Sequence, residues 1–214
     1  KVFMTVSTII LAAGKGTRMK SPTPKILHKI AGKYIVTFSI DLAKAVKSKE
    51  IIVVVSNENE QGTITALSDR QVKFCSQKSQ LGTGDAVKIA LKNSKIKSKY
   101  TLILYGDTPF IKNYTIKKMI SKAEKGFEFI FLGFHPRKEN SYGKFKLGPK
   151  GTLVDIIEKK ELEYNVNDGL SNSGILLARS SIIADLIKKI KNNNAKREYY
   201  LTDIVKLAAK HGYS

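Results

Sequence analysis

The apolar positions of this chain follow two rhythms that alternate along its first two thirds. Short β-rich runs stand at Val6 to Ala12, at IIVVV (51–55), at TLILY (101–105) and at FEFIFLGF (127–134); each is short enough and apolar enough to be a buried strand. Between them TFSIDLAKAVK, GDAVKIALKN and TIKKMISKAEK space their apolar residues three and four apart, the repeat of an amphipathic helix. Strand following helix in this way predicts an α/β fold, a Rossmann-like and mostly parallel sheet flanked by helices, with ligands at the carboxyl ends of the strands. After residue 136 the rhythm changes. YGKFKLGPKGTLVDIIEKK reads as a hairpin turning at Gly148 to Gly151 and SGILLARS as a further strand, so this half forms a small α+β portion. SIIADLIKKIKNNN and LTDIVKLAAKHG read as amphipathic helices, the second capped by Thr202 and stopped by Gly212. No repeat, linker or low-complexity segment interrupts residues 1–214, which points to one domain.

Composition narrows the class. Hydrophobic residues make up 42% and charged residues 26% of the 214 residues, an ordinary globular balance, and no apolar run reaches the ~18 residues of a spanning helix. The opening KVFMTVSTII is interrupted by Thr5, Ser7 and Thr8, so it reads as a strand, not as a targeting segment. The lone Cys75 has no partner for an internal disulfide, which fits a cytoplasmic setting. The net charge is +20, but only Arg18, Arg70, Arg137, Arg179 and Arg197 are arginines; the other basic residues are lysines spread along the chain. A nucleic-acid surface concentrates its charge and recruits arginine and aromatic side chains. Neither nucleic acid nor membrane is therefore expected as a partner, although the field attracts small polyanions.

The densest chemistry is LAAGKGTRMKSPTPKILH at 11–28, two glycines and five basic side chains directly behind the first strand. The spacing of Gly14 and Gly16 fits neither a Walker-type phosphate loop nor a dinucleotide fingerprint, whose third glycine is replaced by Met19. Glycines here let backbone N–H groups approach a polyphosphate without a Cβ in the way, and Arg18 and Lys25 supply charge. His28, His135 and His211 are too scattered to form a metal set.

This loop, together with QKSQLGTGDAV (77–87), LYGDTP (104–109), SYGKF (141–145), IIEKKE (156–161), NSGIL (172–176) and NNNAKREYYLTDIV (192–205), resembles the sugar-nucleotide pyrophosphorylases. More narrowly, it resembles the uridylyltransferase domain of bacterial bifunctional N-acetylglucosamine-1-phosphate uridylyltransferase/glucosamine-1-phosphate acetyltransferase. The blocks occur in that family's order and span nearly the whole chain. The resemblance implies a nucleotide-diphospho-sugar transferase fold and a reaction in which N-acetylglucosamine 1-phosphate attacks the α-phosphorus of UTP and releases pyrophosphate, with Mg2+ as cofactor.

What the resemblance implies for single residues follows from its blocks. Leu11, Ala12, Ala13, Gly14, Gly16 and Thr17 form the nucleotide loop, with Arg18 and Lys25 as the catalytic cations. Gln77, Gln80, Gly82 and Thr83 match the positions that read uracil; an amide carries the donor and acceptor an imide ring needs. Tyr105 and Gly106 precede Asp107, the implied Mg2+ ligand, since hard oxygen donors and bound phosphates favour that ion. Gly143, Glu158 and Asn172 match the sugar-binding positions. Tyr199 and Thr202 are read as packing and capping residues.

Three departures stand out. Asp85 occupies a position where the family commonly has His, and a carboxylate there is expected to repel phosphate mildly; Ser141 replaces the first glycine of a Gly-Tyr-Gly turn. The family's second metal ligand is an asparagine falling after Ser214, so the resemblance implies a domain without its extreme C-terminal segment, and no hexapeptide period marks an acetyltransferase β-helix. The loop pattern is shared with pyrophosphorylases for other sugar phosphate and nucleotide pairs. A noncatalytic nucleotide-binding relative and a basic nucleic-acid binder remain as the other readings, and the sequence leaves the oligomeric state open.

Overall fold

A computed structural model describes residues 4–137, 142–158 and 169–213. Its centre is the first apolar run. Strand β1 (Val6–Leu11) is buried along its whole length and pairs in parallel with β4 (Ile51–Ser56) and β6 (Tyr100–Tyr105); β4 pairs in parallel with β5 (Lys73–Gln77). Beyond β6 lies β10 (Ser171–Arg179), antiparallel to it, and β7 (Phe129–Phe134) pairs antiparallel with β10, so β7 runs the same way as the parallel core. The hairpin β8 (Lys144–Leu147) and β9 (Leu153–Ile157) joins the sheet at the Ser171 end of β10. Two-residue strands β2 (Lys29–Ile30) and β3 (Lys33–Tyr34) form a small separate ribbon.

Because β1 is buried at every position, it needs cover on both faces. Val6 and Ile10 face one core with α1 (Ile35–Ala45) and α4 (Asn113–Glu124); Ile9 and Leu11 face the other with α3 (Thr83–Ser94), α5 (Ser180–Leu186) and α6 (Ile204–Lys210). A short α2 (Glu60–Ala66) follows β4. The two-sided sheet expected from the alternating rhythm is thus present. So is the hairpin, closed by a Gly148 N–H donating to Thr152 O at 2.8 Å. Among the described residues no helix is long and apolar enough to cross a membrane.

Two expectations need correction. The helix read over 181–194 stops as α5 at Leu186, passes through one 3-10 turn at Ile187–Lys189 and becomes extended at Ile190 (φ −64°, ψ 133°). The polar run Asn192–Asn194 offers no apolar face to continue it. Thr202 does not cap: it lies inside a 3-10 turn, Leu201–Asp203, and α6 begins only at Ile204 without any side-chain cap. Strand β5 was not foreseen, because KFCSQ mixes Lys73, Ser76 and Gln77 with only two apolar residues. Gly212 does act as a stop, with φ +74°. Ser141 and the 159–161 end of the IIEKKE block lie outside the described residues.

Candidate active site

The parallel strands deliver their carboxyl ends to one rim, and a cleft of about 930 Å3 opens there. Its floor is the end of β1, Leu11 to Ala13, continued by Gly14 to Met19; its walls come from the ends of β4, β5 and β6 and from the Lys78–Gln80 loop that leads into α3. Lys15, Arg18, Lys25, Lys78 and Lys196 line it against Glu58, Asp107 and Glu198, so the cleft is cationic. A rim of this kind concentrates polyanions.

The two loop glycines differ. A Cβ on Gly14 would meet nothing within 4 Å, whereas Gly16 holds φ +61° and a Cβ there would lie 2.8 Å from Lys25 Cβ. Gly16 is thus what lets Lys25 pack under the loop. Lys25 Nζ donates to Asp107 Oδ2 at 2.6 Å, with the two side chains 35% and 33% exposed, so the pair remains open to exchange with ligand and water. Arg18 is exposed in a single 3-10 turn, Thr17–Met19, with no buried residue.

The loop after β5 is fastened from two directions. Gln80 Nε2 donates to Ala13 O at 2.5 Å, bridging to the end of β1. Gln77, only 3% exposed, donates through Nε2 to Gly82 O at 3.1 Å and to Asp85 Oδ2 at 2.8 Å. Asp85 is therefore turned toward Gln77 and lies outside the cleft lining, which removes the reason to expect repulsion of phosphate.

Gly82 has a backbone role that sequence alone did not disclose. It holds φ +108°, and a Cβ there would stand 2.5 Å from Tyr199 O. Tyr199 docks its backbone on this turn: its N–H donates to Leu81 O at 2.7 Å, and its carbonyl accepts from Gly84 N at 2.8 Å. Leu201 N adds a bond to Thr83 Oγ1 at 3.0 Å. Gly82→Ala is accordingly expected to destabilise the fold by about 2 kcal/mol or more, the cost of left-handed strain with a backbone clash. Gly14→Ala should stay within about 0.5 kcal/mol. Urea unfolding of the two variants checks the contrast, and equal losses would contradict it.

Tyr105 bridges to a second cluster. Burial pushes its phenol up to about 12; the hydrogen bond with the Thr83 side chain opposes this, and the Asp107 and Glu158 carboxylates add to it. Its ring packs where a Cβ on Gly174 would stand, 2.5 Å away, and Gly174 accordingly holds φ +84°. Gly143, Glu158 and Asn172 gather behind it at the junction of β8, β9 and β10, where Asn172 N donates to Gly143 O at 2.8 Å and Gly174 N to Asn172 Oδ1 at 2.9 Å. A Cβ on Gly143 would lie 3.5 Å from Glu158 Oε1.

Of the residues singled out from the sequence, Leu11, Ala12, Ala13, Gly14, Gly16, Thr17, Arg18, Lys25, Gln77, Gln80, Gly82, Thr83, Tyr105 and Asp107 all line the cleft. Gly143, Glu158 and Asn172 do not; they form the neighbouring cluster behind Tyr105. Gly106 is a packing residue whose Cβ position is 3.3 Å from Ala12 Cβ and Ile26 Cγ2. Asn59 was missed. It is 5% exposed, accepts from Ser56 N at 2.9 Å and donates to Ala12 O at 3.0 Å, tying the ends of β4 and β1 together. The signal was present in SNEN, a polar run directly behind a buried strand at the binding rim. Lys196, Glu198 and Tyr200 also line the cleft, although in their block only Tyr199 and Thr202 were singled out, for packing and capping.

The chain is similar to "Bifunctional protein GlmU" of Buchnera aphidicola subsp. Acyrthosiphon pisum (37% identical over 207 residues, 95% of this chain and 44% of that protein). It is also similar to the GlmU proteins of Wolbachia pipientis wMel (40% over 205 residues, 94% and 46%) and Alcanivorax borkumensis (34% over 212 residues, 98% and 46%). The chain spans about half the length of these curated relatives. In fold it matches a crystal structure of UDP-glucose pyrophosphorylase complexed with UDP-glucose, with TM-score 0.78 at 18% identity, covering 98% of this chain and 88% of that one. Residues 8–158, which run from β1 through the Gly14–Met19 loop and Asp107 to Glu158, match the model of the MobA-like NTP transferase domain, and the chain belongs to that family.

Proposed function

We propose that this chain is a nucleotidyltransferase domain that transfers a uridylyl group from UTP to N-acetylglucosamine 1-phosphate, giving UDP-N-acetylglucosamine, a cell-wall precursor, and pyrophosphate. The observation that carries the reading is the convergence of Gly16, Arg18, Lys25, Gln80 and Asp107 on one cationic cleft, in a chain 34–41% identical to GlmU proteins over about 95% of its length.

In this reading a phosphate oxygen of the sugar phosphate forms a bond to the α-phosphorus of UTP, and the bond from that phosphorus to the bridging oxygen of the β-phosphate breaks. Such transfers demand positioning and charge neutralisation more than covalent help. Arg18 stabilises the leaving pyrophosphate through its guanidinium fork, Lys25 stands beside the reacting phosphates, and the Gln77 and Gln80 loop holds the base. Tyr105 keeps its proton at any working pH and separates the nucleotide cleft from the Gly143, Glu158 and Asn172 cluster, which takes the sugar.

The chemistry of Asp107 fits a Mg2+ ion. Its carboxylate lies at the carboxyl end of β6 in the cleft, and among the described residues no group of three or more His, Cys, Asp or Glu side chains could hold a metal. A lone hard donor suits an ion that keeps several waters and takes the rest of its shell from substrate phosphates. When bound, Mg2+ supplies neutralisation of charge on the phosphate oxygens.

Pyrophosphate release tests the reading. With Mg2+ and N-acetylglucosamine 1-phosphate, UTP is expected to react well ahead of ATP, GTP and CTP, and glucose 1-phosphate is expected to be a poorer acceptor. Equal release from ATP would sink the nucleotide assignment, and preference for glucose 1-phosphate would move the sugar assignment.

A further inference from the structure

We infer that Asp85, which does not line the cleft, is a positioning residue that sets which nucleobase the cleft accepts by fixing the orientation of the Gln77 amide. The inference rests on the nucleotide-binding reading of the cleft and adds to it a determinant in this chain's own residues.

Gln77 stands at the carboxyl end of β5, lines the cleft and is nearly fully buried. Its amide lies between Asp85 Oδ2 at 2.8 Å and Gly82 O at 3.1 Å. A carboxylate and a backbone carbonyl only accept, so the group facing them must be the NH2, and both of its hydrogens are consumed. The reversed amide would press Oε1 against two other acceptors and strip the NH2 of both partners, a costly arrangement in a buried site. Gln77 can therefore offer the cleft only Oε1, an acceptor. No described residue donates to Oε1, and Oε1 is not among the buried polar atoms left without a partner.

An acceptor fixed in this way selects a base that donates at the matching place. The imide edge of uracil presents a ring N–H between two carbonyls; the corresponding ring nitrogen of cytosine is itself an acceptor and would face Oε1 with lone pair against lone pair. Gly82 O alone constrains the amide through a single bond. Asp85 supplies the shorter bond and the charge, and so holds the orientation. It reaches this place because it sits in the first turn of α3, just after the turn that Tyr199 fastens.

The test is Asp85→Asn. The amide introduced there can turn either its oxygen or its NH2 toward Gln77, which frees the Gln77 amide to rotate. The ratio of kcat/KM for UTP to that for CTP is expected to fall at least tenfold in the variant, with thermal unfolding showing that it is folded. A folded variant that keeps the native ratio overturns the inference, whereas a native chain with no preference for UTP overturns the nucleotide reading beneath it. A second measurement needs no turnover. Hydrogen exchange of the Gln77 side-chain NH2, followed by NMR, is expected to be slow in the native chain and faster in Asp85→Asn. Equal exchange in the two also overturns the inference.

Discussion

Replacing Arg18 with Ala is expected to lower kcat/KM for pyrophosphate release about 100- to 1000-fold while shifting the melting temperature by no more than about 2 °C. The loss follows from the place of the side chain. Arg18 is exposed on a 3-10 turn that buries no residue of its own, yet it lines the cationic cleft. Removing one preorganised donor from developing charge costs on the order of 2.7 to 4 kcal/mol at the transition state. An exposed side chain without core contacts contributes within about 0.5 kcal/mol to folding, which for a chain of this size is roughly 2 °C or less. Lys at this position should restore only part of the rate, since an ammonium cannot grip two oxygens as a guanidinium does. An unchanged rate with a lowered melting temperature would make Arg18 structural.

Asp107→Asn is expected to reduce Mg2+-dependent turnover by about 1000-fold or more, because a bound cation contributes several kcal/mol of charge stabilisation and a neutral amide is a much poorer ligand for it. The same change removes the charge that Lys25 Nζ meets at 2.6 Å. Both partners are about a third exposed, so the loss to folding should stay under about 1 kcal/mol. UTP binding measured by calorimetry with and without Mg2+ separates the two roles of the carboxylate. In the native chain the cation should tighten UTP binding, and in the variant that dependence should vanish. A variant with full Mg2+-dependent turnover would leave Asp107 as the partner of Lys25 and nothing more.

How far the sequence disclosed this arrangement depended on the kind of interaction. The buried strands β1, β4 and β6 and the helices over 37–47, 84–93 and 115–125 were legible because burial on a fixed period leaves its trace in neighbouring residues, and α1, α3 and α4 occupy these places; the run at 127–134 gives a strand only from Phe129, half-buried along its length. The end of α5 and the absent Thr202 cap were not legible, since both depend on how the chain departs from a helix and not on its apolar face. Gly82 shows a deeper limit. In sequence it belongs to a nucleotide loop, but its conformation also makes room for the Tyr199 backbone, 117 positions away along the chain. Asn59 ties two strand ends together across 47 residues, and Asp85 finds a buried amide as its partner. Contacts of this kind are set by topology. A charge read from sequence as facing phosphate can prove to face the protein.

The most direct test of the uridylyl-transfer account is the fate of labelled phosphorus. The chain is incubated with Mg2+, N-acetylglucosamine 1-phosphate and UTP carrying radioactive phosphorus at either the α or the γ position. Attack at the α-phosphorus predicts that the α label appears wholly in UDP-N-acetylglucosamine and the γ label wholly in pyrophosphate. Transfer of the γ label to the sugar phosphate, or release of the α label as UMP without a sugar nucleotide, would contradict the account.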